Sequence, residues 1–205
     1  MVGYAPLDAS IFGFTGLLQR KEHIAVRFIK SISSSLSQHP SVATRILEAY
    51  GITEAASDDD AFIKILQFAS DVSFRAPAES FAKGFHGDSY LLELAEGNPW
   101  DGPFKGHSTH VLDVALLFQN YNEHLDEKQR QIAESFAVDV INFVHGQAPW
   151  KRFQDGAGRM VYENGTRMYK QAGVNSEKYE SLLELGEEIG LDALLKVWQN
   201  FLFPQ

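Results

Sequence analysis

The chain has 205 residues and a mass of 22.9 kDa, and its 44% apolar and 12% aromatic content excludes disorder as the bulk state. With 18 basic against 27 acidic side chains the formal charge is −9, which repels phosphate backbones and argues against a nucleic-acid binder. The absence of cysteine excludes disulfides, thiolate metal sites, iron–sulfur clusters and cysteine nucleophiles, and it favours an intracellular, cytoplasmic location.

No stretch approaches the roughly 20 apolar residues that a membrane-spanning helix needs. The best, Val138 to Val144, is broken by Asp139 and Asn142. The N-terminus lacks a basic segment, and Asp8 interrupts its apolar run, so it does not read as a signal peptide.

Met1 to Tyr4 reads as the end of a buried strand that runs into a loop at Ala5 and Pro6. Apolar residues from Leu17 to Leu36 predict a helix, ended by Ser33 to Ser37 and Pro40. Ser41 is placed to cap a second helix through Tyr50, which Gly51 stops. Ser57 to Asp60 bring acidic side chains to the positive end of a third, whose apolar face runs from Phe62 to Val72. Pro77 opens a short helix through Lys83. Tyr90 to Leu94 reads as a strand buried on both faces. A loop of turn formers, Gly97 to Gly106, leads to the segment His107 to Phe118. Asp126 heads a long amphipathic helix to Val144 with Ile132, Phe136 and Val140 inward, ended by Gly146 and Pro149. Met160 to Tyr162 is one more short strand, and Ser176 to Phe203 is helical with a break near Gly190. The sum is an α/β pattern, helix-rich with two or three short strands and no internal domain boundary. Isolated strands leave backbone groups unpaired, so the expectation is that a larger sheet is missing and that the chain is a fragment.

His110 stands beyond a strand, at the end of a loop rich in glycine and proline, where scaffolds present catalytic imidazoles. A locally bonded histidine is the alternative on spacing alone. Asp8 follows a strand end, where a carboxylate orients an imidazole or caps a turn. Two further ideas carry less. Gly87-Asp88-Ser89 contains a serine before a strand, read as structural. His107, His110 and Asp113 fall at i, i+3 and i+6, which swings the third group off any shared helix face and speaks against a metal. Trp100 and Phe104 are candidate pocket residues, whereas Phe118, Tyr121, Phe143, Trp150 and Phe153 read as core. Glu184, Glu187, Glu188 and Asp192 read as a solvated helix face.

Taken together, the two loops resemble the C-terminal part of the type-B carboxylesterase and lipase family, the α/β-hydrolases that include cholinesterases. Gly3, Asp8, Ala9, Ser10 and Phe12 occupy the places of the family's acid segment. His110 keeps the family spacing to Asp113 and Phe118, and lies 102 residues after Asp8. That spacing selects His110 over His107. The helix from Asp126 and the Phe143 to Trp150 segment fit the same pattern, and the likeness is clearest over residues 1–165. Two departures stand beside it. Val111 sits where many relatives carry glycine, and His107-Ser108-Thr109 replaces a run of small residues. The family's G-x-S-x-G serine is absent from this chain.

The resemblance implies the C-terminal fragment of an α/β-hydrolase domain over residues 1–205, with the nucleophile-bearing half upstream. Asp8 and His110 would be the acid and histidine of a Ser-Asp-His triad acting on a small carboxylic ester, with no metal or organic cofactor. Such a chain is expected to be inactive alone. The alternative is a non-catalytic protein-interaction module, with apolar surface open to self-association.

Overall fold

A computed structural model describes residues 1–171, 173 and 176–204. They form two compact units, one of Met1–Ser10 with Phe74–Val174 and one of Ile11–Ser73 with Asn175–Gln205. The sequence carries no sign of this division because both units are discontinuous. The chain passes from one to the other at residues 10/11, 73/74 and 174/175, and the middle crossing lies inside a wide helical turn, Asp71–Arg75. No linker composition marks such a passage. Among the described residues no helix is long and apolar enough to cross a membrane.

The first unit is built on a four-stranded mixed sheet in the order β1 (Val2–Tyr4), β2 (Leu91–Leu94), β3 (Arg159–Glu163), β4 (Thr166–Lys170). β1 and β2 pair in parallel with Gly3 opposite Leu92, and β2 and β3 pair in parallel with Leu94 opposite Tyr162. The predicted strands are therefore not isolated; they are one another's neighbours. β4 was not foreseen. It returns antiparallel on β3 through Asn164 (φ +51°) and Gly165 (φ +77°), a two-residue turn of the kind that asks for Asn-Gly.

The sheet is covered on both faces, which is why β2 is almost wholly apolar. Leu92, Leu94, Met160 and Tyr162 pack with Leu112, Leu116, Ile132 and Phe136. These last four come from α5 (Leu112–Phe118) and α6 (Glu127–Val144). On the other face Tyr4 and Leu91 pack with Ala78 and Ala82 of α4 (Ala76–Gly84). α6 starts where predicted, with a capping box between Asp126 and Gln129. It is tied to the hairpin by Asp139, which accepts bonds from the Tyr162 hydroxyl at 2.6 Å and from Arg167 Nη2 at 2.9 Å.

The second unit is helical: α1 (Ile24–Ser35), α2 (Pro40–Tyr50), α3 (Asp58–Ser70), α7 (Glu177–Ile189) and α8 (Leu191–Leu202). The helix expected from Leu17 begins as a 3-10 turn, Leu18–Arg20, and becomes an α-helix only at Ile24, after the break at His23 with its positive φ. α2 opens on Pro40 rather than on a Ser41 cap. Phe28 meets Phe68 and Phe201 edge to face at the centre. Glu184 and Glu188 are exposed as expected, yet both reach Arg45 of α2.

Candidate acid–histidine site

The site belongs entirely to the first unit and grows from the ends of β1 and β2. After β1 the chain turns tightly, with Asp8 N–H donating to Ala5 O and Ser10 N–H to Leu7 O. After β2 it makes a long excursion that closes on itself at Asn98, whose N–H donates to His107 O and whose carbonyl accepts the Gly106 N–H, both at 2.8 Å. A Cβ on Gly97 would stand 2.9 Å from Gly106 O, so the two arms approach this closely only because residue 97 is glycine.

The two loops are stitched together ahead of the functional groups. Leu7 N–H donates to Ser108 O at 2.9 Å, and Leu7 and Thr109 form a parallel bridge. Ser108 Oγ donates to Leu94 O, which fixes the second loop on β2. Ser10 Oγ accepts the His110 N–H at 3.1 Å. Asp8 and His110, the two site residues named from the sequence, then meet: Oδ1 and Nδ1 are 3.0 Å apart. The other carboxylate oxygen accepts the Ala5 N–H at 2.7 Å.

Burial pushes the Asp8 carboxyl above the ordinary carboxylate range. The Ala5 N–H and His110 pull it back down, and the Asp113 charge pushes it up again. The Asp8 side chain keeps only 12% of its exposure, while that of His110 keeps 34%. The imidazole leans on the Phe74 ring, with centroids 5.6 Å apart. Among the described residues Nε2 has no hydrogen-bond partner.

Beside the pair lies a cavity of about 520 Å³, walled by His110 and mostly by apolar groups, among them Leu94, Phe136, Val140 and Phe143. Phe143, assigned to the core from sequence, is thus part of the wall. Phe104, named as a pocket residue, is buried away from it, and Trp100 packs against the sheet core. Phe118 and Tyr121 are exposed rather than core. The reason is the brevity of α5. It buries one stripe, Leu112 and Leu116, and turns Val114 and Phe118 outward.

Val111 closes a turn from Thr109 to Leu112 in the left-handed region, φ +59° and ψ +8°. Turns with positive φ at this place favour glycine. A β-branched side chain makes the position strained. Ser89 is spoken for: its Oγ donates to Ala82 O at 2.7 Å and accepts from Gln154 Nε2 at 2.9 Å. No group of three or more His, Asp or Glu side chains among the described residues is arranged to hold a metal ion.

No protein-family model matches the chain. No curated protein matches it either. Among solved structures it is similar to an esterase from anaerobic Clostridium hathewayi that can hydrolyze aliphatic aromatic polyesters, at 17% identity and a TM-score of 0.44. The likeness covers 78% of this chain and 29% of that one, so the chain spans less than a third of that protein's length.

Proposed function

We propose that Asp8 and His110 are the acid and the imidazole of a serine-type carboxylic ester hydrolase, and that the chain is the C-terminal part of such an enzyme's carboxylesterase domain. One juxtaposition carries the reading: residues 102 apart in sequence meet at 3.0 Å on the wall of an apolar cavity. Asp8 accepts the Nδ1–H, which leaves the Nε2 lone pair free as a base. A serine hydroxyl against Nε2 would lose its proton as its oxygen attacked the ester carbonyl. The imidazolium, stabilised by Asp8, would return that proton to the leaving alcohol. Water deprotonated at the same nitrogen would then release the acyl group. No step calls for a metal or an organic cofactor, and the apolar wall suits an uncharged ester.

The hydroxyl must come from outside these 205 residues, because the sequence has no G-x-S-x-G. The chain by itself is therefore expected to be inert. The test joins the coding sequence ahead of Met1 to the chain and assays both forms on p-nitrophenyl acetate. The expected result is an in-frame segment with G-x-S-x-G and turnover that His110→Ala abolishes. A stop codon and promoter ahead of Met1 would refute the proposal, as would burst turnover by the chain alone that depends on His110.

A second reading, a protein-interaction module, is favoured by one observation: exposed Val111, Val114 and Val144 line the same cavity. A rim of this kind suits self-association.

A further inference from the structure

We propose that the helical unit carries a second, independent site, for a soluble organic polyphosphate with an aromatic portion, of the nucleotide class. Between α1 and α8 lies a cavity of about 930 Å³. Among the described residues its lining holds four cations, Arg20, Arg27, Lys30 and Lys196, and no Asp or Glu side chain. In a chain of charge −9 this is a local reversal of sign.

The cations are not explained by the fold. Arg20 alone has a structural role, donating from Nη2 to Leu202 O at 2.9 Å at the end of α8. The side chains of Arg27, Lys30 and Lys196 have no hydrogen bond or ion pair among the described residues. Elsewhere in the same unit the basic side chains are matched: Lys21 with Asp59, Lys64 with Asp60, Arg45 with Glu184 and Glu188. On α1, Arg27 and Lys30 are followed by Ser31 and Ser34, so one helix stripe offers two charges and then two hydroxyls to the cavity. Phe203 completes the rim. It is 69% exposed, an aromatic face beside unpaired cations.

These features choose among anions. Unmatched cations call for several negative charges in a small space, and hydroxyls and guanidinium groups suit phosphate oxygens. The volume exceeds what inorganic phosphate fills and lies in the range of ordinary small-ligand pockets. An exposed phenyl ring offers a stacking surface for a base. The concave shape does not fit a membrane surface, and the overall charge opposes a long nucleic acid.

The test is isothermal titration calorimetry of the whole chain with sodium tripolyphosphate, with ATP and with adenosine, at low and high salt. Tripolyphosphate and ATP are expected to bind, ATP more tightly, with both weakened by salt, and adenosine to bind far more weakly than either. The Arg27→Gln, Lys30→Gln double variant is expected to lose about tenfold in affinity for both anions. Phe203→Ala is expected to lose about fivefold or more for ATP and nothing for tripolyphosphate. All three side chains are exposed, so the variants should fold, and circular dichroism checks this. The proposal is overturned if neither anion binds, if the double variant binds both as the parent does, or if adenosine matches ATP. It is also overturned if the chain sediments with phosphatidic-acid vesicles while ATP gives no heat. The Asp8–His110 reading stands or falls separately, since no residue is shared.

Discussion

Replacing Asp8 by asparagine separates the role of its charge from the role of its shape. The carboxylate accepts two bonds, one from the Ala5 N–H and one from His110 Nδ1–H. An amide keeps the first by turning its oxygen to Ala5, and its NH₂ then faces Nδ1. Two donors cannot share that bond, so the imidazole proton must move to Nε2. The stability cost is small because opposing effects meet. A hydrogen bond to a charged group contributes about 1.5–3 kcal/mol, but the amide restores part of it and relieves the cost of burying a charge. The net change in unfolding free energy is expected to stay within about 1 kcal/mol. Asp8→Ala, which orphans the Ala5 N–H, should cost about 1–3 kcal/mol. The pH dependence carries a sign. The folded pKa of Asp8 is raised by burial, so between the ordinary carboxylate value and the folded value the native state holds the extra proton. Stability therefore rises as pH falls through that window, and the ionised carboxyl costs the fold most above it. The asparagine variant should lack this component. Nitrogen-15 spectra of the histidine ring report the tautomer directly, and urea unfolding across the acid range reports the linkage. A parent protein whose neutral His110 carries its proton on Nε2 at neutral pH would refute the reasoning, as would an asparagine variant with the parent's tautomer.

Val111→Gly should stabilise the fold by roughly 0.5–1 kcal/mol, because relief of left-handed strain exceeds the added chain entropy; a loss in urea unfolding would show that the exposed side chain contributes more than its backbone costs. Asp139→Ala should cost about 2–3 kcal/mol, since it strands the Tyr162 hydroxyl and part of the Arg167 guanidinium against α6; thermal unfolding within a degree of the parent would remove Asp139 as the tie between helix and hairpin. If the rim of the apolar cavity drives self-association, Val144→Lys, at a side chain 75% exposed, should lower the concentration-dependent sedimentation coefficient with no loss of stability. An unchanged coefficient would place any association elsewhere.

Asp8 and His110 each stand in a loop beyond a strand, where a rigid scaffold presents side chains, but position alone left a local role open for each, and only the resemblance of the two loops to the type-B carboxylesterase pattern joined them as a pair. α6 is legible for a local reason: Asp126 and Gln129 sit at capping-box spacing ahead of an apolar stripe. β4 carried an equally local signal, Asn164-Gly165 between two short runs rich in β-formers, which a reading centred on the missing sheet passes over. What was hidden is non-local. Phe143 lines the cavity and Phe118 does not, a distinction set by how α5 and α6 pack and not by either helix's own pattern. Arg27 and Lys196 lie at opposite ends of the chain, and only the packing of α1 against α8 makes them neighbours. The two-unit division is invisible for the same reason, since its boundaries are contacts and not linkers.

The order of the contacts around His110 bears on what the strain at Val111 is for. The imidazole is fixed from three sides before any substrate is considered: its backbone N–H by Ser10, its Nδ1 by Asp8, its ring face by Phe74. Ser10 and Asp8 belong to one three-residue turn, so a shift of that turn moves both anchors together. The preceding loop residues are held in turn by Leu7 and by β2. Between these anchors and the start of α5 at Leu112 only Val111 remains to absorb the change of direction. A left-handed residue there follows from holding His110 toward Asp8 while Leu112 points into the core. Glycine at this position would relieve the backbone but also loosen the ring, so Val111→Gly should broaden the His110 ring signals even as it stabilises the fold. Sharp, unshifted ring signals in that variant would mean that Ser10, Asp8 and Phe74 suffice to hold the imidazole, and that the strain is incidental to the site.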